Sequence, residues 1–296
     1  MDIVGAFACS HSGLMISRAA QAAPSVRDLV YSTFRAMGET IEALAPDAIV
    51  LVGTDHGRIY GFEGVPQFTI GVSEIATGIG DAGLPAGDYA LHQELARGVL
   101  TGLLDRDVDI AFSEAMSIDH SFVAPMMLAL PGTQLPIVPI VQNCNVPPLP
   151  SLGRSHRVGT ALGDAIGDAG PGRVVVLGTG GLSHWVGSDD FRSFMNRPAG
   201  SRLAERDQHP LSLEDTGPVN EPFDETCLAQ ICAGRAADFI AAWSTSTLGE
   251  AAGNGAQEIR NWLVVAGAVS DATAKILTYA PVEEWLTGTG IVQFDI

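Results

Sequence analysis

Apolar runs alternate with amphipathic stretches along most of the chain. Asp2–Cys9 (DIVGAFAC), Pro46–Gly53 (PDAIVLVG) and Gly172–Gly178 (GRVVVLG) are near-continuous hydrophobic segments rich in β-branched residues. Such runs predict strands covered on both faces, because a half-exposed strand alternates between apolar and polar positions. Pro136–Val141 and Phe68–Val72 predict shorter strands, Ile110–Phe112 another, and Thr289–Ile296 a closing one. Between them, Pro24–Leu44 keeps Val26, Leu29, Val30, Phe34, Met37 and Ile41 near helical spacing. Asp88–Leu104 and Leu152–Ile166 share that pattern, and Glu258–Ala274 sets Ile259, Trp262, Leu263, Ala266 and Val269 along one side.

This alternation predicts an α/β fold: three layers, α/β/α, around a central mostly parallel or mixed sheet. Gly187–Pro222 is the least regular stretch, rich in Asp, Arg, Pro and Gly, and reads as a surface insertion or as short helices near a site mouth. No repeat and no low-complexity linker divides the chain. The expectation is one domain over 1–296 with long loops around an active site.

Charge narrows the function classes. The chain has 296 residues with 16 Lys+Arg against 34 Asp+Glu, a balance of −18. No basic stripe is present that could release counterions from nucleic-acid phosphates, or hold the chain to anionic lipid. The 46% hydrophobic content supports a substantial core. Cys9, Cys144, Cys227 and Cys232 show no CxxC or zinc-knuckle spacing and read as reduced thiols. No basic leader precedes the first apolar run and no stretch is long enough to span a bilayer, so a cytoplasmic location is expected.

The histidines carry the chemistry. His11 follows the first strand, His56 the second (Gly53-Thr54-Asp55-His56) and His184 the third (Gly178-Thr179-Gly180-Gly181-Leu182-Ser183-His184). His120 follows the short Ile110–Phe112 segment in Ser117-Ile118-Asp119-His120. Ligands of open α/β sheets bind outside the carboxyl ends of the strands, so these histidines share one rim. His92, His156 and His209 lack that placement. Imidazoles there serve as metal ligands or as acid–base groups near neutral pH. Two histidines and a carboxylate with open positions suit non-haem Fe(II), and His₂Glu also occurs in catalytic zinc sites. Glu258 is the best carboxylate, at a helix start just after the glycine-containing Gly253–Gln257 stretch. Gly178–Gly181 does not fit GxGxxG and no Walker lysine follows it, so it reads as a tight turn presenting His184. No GxSxG elbow surrounds Ser10 or Ser183.

Together these segments resemble the type III extradiol ring-cleavage dioxygenases, the superfamily of protocatechuate 4,5-dioxygenase β subunits and dihydroxyphenylpropionate dioxygenases. The resemblance rests on Ser10-His11, Asp55-His56, Gly83–Gly87 (GLPAG), Asp119-His120, the Gly178–His184 segment, and Gly255-Ala256-Gln257-Glu258. It implies that His11, His56 and Glu258 bind one Fe(II), with His120 and His184 as acid–base residues and Asp119 orienting or tuning His120. It implies the insertion of both atoms of O₂ into the ring of a catechol, protocatechuate, gallate or dihydroxyphenyl acid, giving a ring-opened semialdehyde or keto acid. Arg58, two residues after His56, is a candidate clamp for a substrate carboxylate. The acidic balance tilts the expected substrate towards uncharged rings.

Three alternatives stay open at this level. One is cleavage of a 2-aminophenol, another a His₂Glu zinc hydrolase, and the third a non-enzymatic metal-binding member of the fold. Some relatives need a small α subunit that closes over the site. The chain is expected to work as a homo-oligomer, or with such a subunit supplied separately.

Overall fold

The computed structural model describes residues 1–209, 211 and 216–296. Strands, in chain order, are β1 (Asp2–Cys9), β2 (Ala48–Thr54), β3 (Phe68–Gly71), β4 (Ile75–Ile79), β5 (Ala86–Ala90), β6 (Ala111–Ser113), β7 (Ser117–Ile118), β8 (Ile137–Gln142), β9 (Arg173–Thr179), β10 (Ala274–Val282) and β11 (Thr287–Phe294). Helices are α1 (Gly13–Ser17), α2 (Pro24–Ala43), α3 (Gln93–Leu104), α4 (His120–Ala129), α5 (Leu152–Asp168), α6 (Asp189–Met195), α7 (Glu221–Cys232), α8 (Ala236–Ala242), α9 (Thr245–Ala252) and α10 (Ile259–Ala268).

The main sheet runs β10-β11-β1-β9-β2-β8-β3-β6, and β5-β4-β7 form a smaller one. β1, β9, β2 and β8 are mutually parallel, whereas β11 joins β1 and β3 joins β8 antiparallel. The sheet is therefore mixed with a parallel centre. β2 and β8 are buried at every residue, as the unbroken apolar runs predict for strands covered on both faces. One core cluster, with Leu95, Leu162 and Leu263, packs α3, α5 and α10 on one face. The other, with Phe34, Met37 and Phe122, packs α2 and α4 on the opposite face. Among the described residues no helix is long and apolar enough to cross a membrane. All four cysteines are free thiols.

Several boundaries differ from expectation. The helix expected over 88–104 starts only at Gln93, because Ala86–Ala90 pairs with β4 as a mostly exposed hairpin strand. The helix expected over 258–274 is shorter. A 3₁₀ turn covers Gly255–Glu258, α10 ends at Ala268, and Ala274 opens β10. Within 187–222, α6 and a 3₁₀ segment over Leu203–Gln208 are the short helices anticipated, while residues 210 and 212–215 of that stretch lie outside the described residues.

The register aligns the carboxyl ends of the three central strands, with Cys9 opposite Thr179 and Val52 opposite Gly178. Each chain segment leaving that edge carries one histidine: His11, His184 and His56.

Candidate metal centre

His56 is the most constrained of the histidines. Its Nδ1 lies 2.9 Å from Asp119 Oδ2, and its backbone N–H donates to the same oxygen at 3.0 Å. A carboxylate on Nδ1 fixes the tautomer and turns Nε2 towards the site, the usual support of a metal-binding imidazole. Asp119 is itself fixed as the N-cap of α4, accepting from Ser121 N–H at 2.9 Å. Asp119 thus spends its hydrogen bonds on His56 and Ser121, while its charge still acts on the nearby His120. The carboxylate on His120 is Asp81, whose Oδ2 sits 2.5 Å from His120 Nδ1.

Glu258 is fully buried. Its Oε1 lies 3.0 Å from His56 Nε2 and its Oε2 3.5 Å from His11 Nε2, while the two imidazole Nε2 atoms are 3.5 Å apart. Gly181 N–H donates to Glu258 Oε2 at 2.9 Å, so the glycine turn after β9 grips the carboxylate. The same turn is locked to α10: Asn261 Nδ2 donates to Thr179 O at 2.6 Å and Trp262 Nε1 to Gly180 O at 3.2 Å.

Charge follows from burial and neighbours. Burial raises a carboxyl, yet His11, His56 and His184 outweigh it and hold Glu258 well below the usual range. Burial disfavours the His56 imidazolium, but Asp119 and then Glu258 reverse this and hold it well above its ordinary value. His11 is pushed down to about 3 by burial, only partly offset by Glu258, and is neutral. The proton on His56 Nε2 can serve Glu258 or His11, not both, and the buried His11 Nδ1 has no partner among the described residues. A divalent cation satisfies all three convergent atoms at once, so the donor set fits a metal.

His120 could replace Glu258 on distance alone, since ring nitrogens of His11, His56 and His120 all lie within 4.8 Å of one another. Its ring, however, stacks on His56 at 4.0 Å and 27°, so the two in-plane lone pairs run side by side rather than converge. Asp81, Asp119 and His120 form a second close triple, but those carboxylates are already engaged by His120 and His56.

His184 Nδ1 donates to Leu182 O at 3.1 Å, which leaves Nε2 as the free lone pair, 3.8 Å from Glu258 Oε2. Burial lowers its pKa, with Glu258 opposing, so it is a neutral base near pH 7. The fit around it depends on glycine: a Cβ on Gly255 would lie 2.1 Å from the imidazole. The glycines either side of Asn254 are thus explained as room for His184.

A cavity of about 220 Å³ opens over this cluster, with His11, His56, His120 and His184 in its wall beside Trp185, Val186 and Trp285. Asp81 and Arg58 also line it. Arg58 sits on a turn held by Asp55, which accepts from the N–H groups of Arg58, Ile59 and Tyr60 at 2.8 to 2.9 Å. The Arg58 guanidinium is exposed, with no ion pair or side-chain hydrogen bond among the described residues. The remaining histidines are structural. His92 caps α3, His156 pairs with Asp271, and His209 pairs with Asp190 and stacks on Phe194.

Sequence reasoning missed Asp81 and Asp224. Asp81 lies between Gly80 (φ +74°) and Ala82 (φ +54°), a tight turn that points its carboxylate back at the site. Only the fold could reveal that pairing, though a carboxylate flanked by turn formers was a signal. Asp224 is fully buried on α7 and accepts from Ser183 N–H (2.7 Å), Ser183 Oγ (2.8 Å) and Tyr279 OH (2.9 Å), fixing the residue before His184. Burial raises its pKa to about 6 despite these donors.

A stability test follows. A carboxyl raised in the folded state favours folding below its unfolded pKa, and that contribution is lost as pH rises through about 6. Between pH 4 and 7 the wild type is expected to lose about 1–3 kcal/mol relative to Asp224→Asn. Urea unfolding of both proteins across that range measures the difference; parallel curves would contradict it.

A family model described as the catalytic LigB subunit of aromatic ring-opening dioxygenase matches residues 5–291. A Rhodococcus protein named 2,3-dihydroxyphenylpropionate/2,3-dihydroxicinnamic acid 1,2-dioxygenase is 30% identical over 306 residues, covering 96% of both chains. An Escherichia coli O139:H28 protein of the same name is 30% identical over 292 residues, 90% of this chain and 91% of its own. Among solved structures, an uncharacterised protein of Escherichia coli K12 superposes with a TM-score of 0.53 at 14% identity, covering 99% of this chain and 100% of its own; that likeness concerns the fold alone. With the match spanning nearly every residue, the chain belongs to the LigB family of aromatic ring-opening dioxygenases.

Proposed function

We propose that the chain is an Fe(II)-dependent extradiol dioxygenase that opens a catechol-type ring with both atoms of O₂, acting as one catalytic domain over 1–296. The observation that carries this is the convergence of His11, His56 and Glu258 beneath a cavity that two further histidines enter. Relatives named for 2,3-dihydroxyphenylpropionate support a substrate bearing adjacent hydroxyls. His11, His56 and Glu258 would hold the metal, which would supply Lewis-acid activation of a catechol hydroxyl and a redox centre for O₂.

The chain's own residues handle position and protons. His184 Nε2, with Nδ1 tied to Leu182 O, takes a hydroxyl proton from the substrate. His120, with Nδ1 tied to Asp81, lines the cavity and, in the imidazolium form paired with the Asp81 carboxylate, donates its second proton as the ring opens. Trp185, Val186 and Trp285 exclude water and flank the ring. Arg58 meets the ring's substituent at the rim, through a carboxylate or against a flat face.

Anaerobic loading with Fe(II), then oxygen uptake on catechol, protocatechuate, gallate, dihydroxyphenyl acids and 2-aminophenol, tests the reading. One O₂ consumed per ring and a yellow ring-opened product are expected. Full occupancy by zinc with hydrolytic activity, or bound iron with no oxygen uptake on any ring, would overturn it. Turnover by the isolated chain, with its mass from light scattering, tests the homo-oligomer against the need for a separate small subunit.

Asp81 gives a finer check. Asp81→Asn is expected to lower kcat about tenfold, with metal content and KM near wild type, because His120 loses the partner that fixes its tautomer. Asp81→Glu should restore part of the rate. Equal kcat in all three proteins would remove Asp81 from the mechanism.

A further inference from the structure

The cavity over the histidines is small. At about 220 Å³ it falls below the roughly 300–1,000 Å³ common for small-molecule sites. It does not stand alone. A chamber of about 600 Å³ adjoins it, and His56, Arg58, Val186 and Leu211 belong to both walls. Those four residues therefore form the boundary between the two spaces.

The chamber is aromatic. Tyr60, Phe62, Phe191, Phe194 and Met195 line it. Phe62 meets Phe194 edge-on at 5.9 Å and 69°, and Phe194 stacks on His209 at 4.6 Å and 17°. This wall is built, not incidental. Arg202 is buried, lies 5.4 Å over the Phe62 ring, and donates to the carbonyls of Met195 and Arg197. It also donates to Pro147 O, so one guanidinium pins the α6 segment to the loop after β8.

The chamber's charge is already spent. Arg206 faces Glu63 at 3.6 Å and Asp207 at 3.5 Å, which leaves little net attraction for an anion. Arg58 lies on that boundary, flat enough to lie against a ring that crosses it. An overall balance of −18 also disfavours an acid at long range.

Resting on the extradiol reading, we propose that the substrate is a catechol carrying a second, uncharged aromatic ring, joined directly or through one carbon. The dihydroxylated ring sits over the histidines, and the second ring passes Arg58 and Val186 into the chamber between Phe62, Phe191 and Phe194.

The test uses the Fe(II)-loaded chain with 3-methylcatechol, 2,3-dihydroxyphenylpropionate, 3-phenylcatechol and 3-benzylcatechol. Each is also titrated without O₂, following tryptophan fluorescence. Burying a second ring is expected to raise affinity and kcat/KM about tenfold or more over the methyl compound. Met195→Trp, which fills the chamber, should lower the phenyl-to-methyl ratio of kcat/KM about tenfold, and Phe62→Leu should lower it by a smaller factor. Equal affinities for methyl and phenyl compounds, a preference for the propionate, or a ratio unmoved by both variants would overturn the proposal. Tight, ring-dependent binding with no turnover of any catechol would support the chamber while sinking the extradiol reading, so the two failures are separable.

Discussion

Glu258→Gln protein is expected to bind divalent metal at least about 100-fold more weakly than wild type and to open rings at a rate about 10³-fold lower or less. The loss exceeds the 10–100-fold usual for a residue that only supports a ligand, because a ligand's charge itself is removed. Glu258 is the one carboxylate among the three convergent donors and touches both imidazoles. Glutamine keeps the volume and one acceptor for Gly181 N–H, so the glycine turn should survive. Its amide cannot neutralise a dication, and its NH₂ would face a ligand nitrogen with a hydrogen.

The pH dependence of the metal-free wild type provides a second readout. Glu258 is depressed in the fold, so its contribution to stability is present above its unfolded pKa and is lost as pH falls through the folded value. His56 runs the other way. It is raised, so its contribution is full below its unfolded pKa and is lost as pH rises through the folded one. Removing Glu258 should weaken both limbs. Metal content by elemental analysis, anaerobic titration calorimetry and thermal melts across pH measure these effects. Wild-type metal affinity in the variant would remove Glu258 from the ligand set.

The strand-end histidines were legible because their signal is local. An unbroken apolar run predicts a strand buried on both faces, and a parallel strand's carboxyl end is where a site forms. His11, His56 and His184 inherit their place from β1, β2 and β9, whose register brings them together. Glu258 was legible through the glycines before it, which the structure explains by the crowding of His184 against Gly255. What stayed hidden depends on pairing between distant segments. Asp119 neighbours His120 in sequence, but N-capping of α4 turns its carboxylate to His56, which leaves His120 to Asp81, 39 residues away. Asp224 reaches the site only because α7 packs beside the turn after β9. β10 was missed because this edge strand opens on four positions with none buried, Ile276 exposed among them, and alternates only from Thr278 to Val282, too short a stretch interrupted by Pro281 to stand out.

His184→Ala and His120→Ala should each lower kcat about 10²–10⁴-fold while metal stays bound, which separates proton handling from metal binding. The geometry gives them different signatures. His184 is a neutral base whose pKa is lowered by burial, so in wild type the rate should fall only as pH drops below the ordinary histidine range. That acid limb should vanish in His184→Ala, because no base remains to be protonated. His120 acts on the leaving side of the reaction, so its alanine variant should keep the acid limb and lose rate at every pH. KM should change little in either, since neither is among the convergent metal donors. Steady-state rates from pH 5 to about 9 on one cleaved catechol, with metal content of each protein, decide the matter. An acid limb that persists in His184→Ala would assign the base elsewhere, and Asp81 beside His120 would then be the next carboxylate to test.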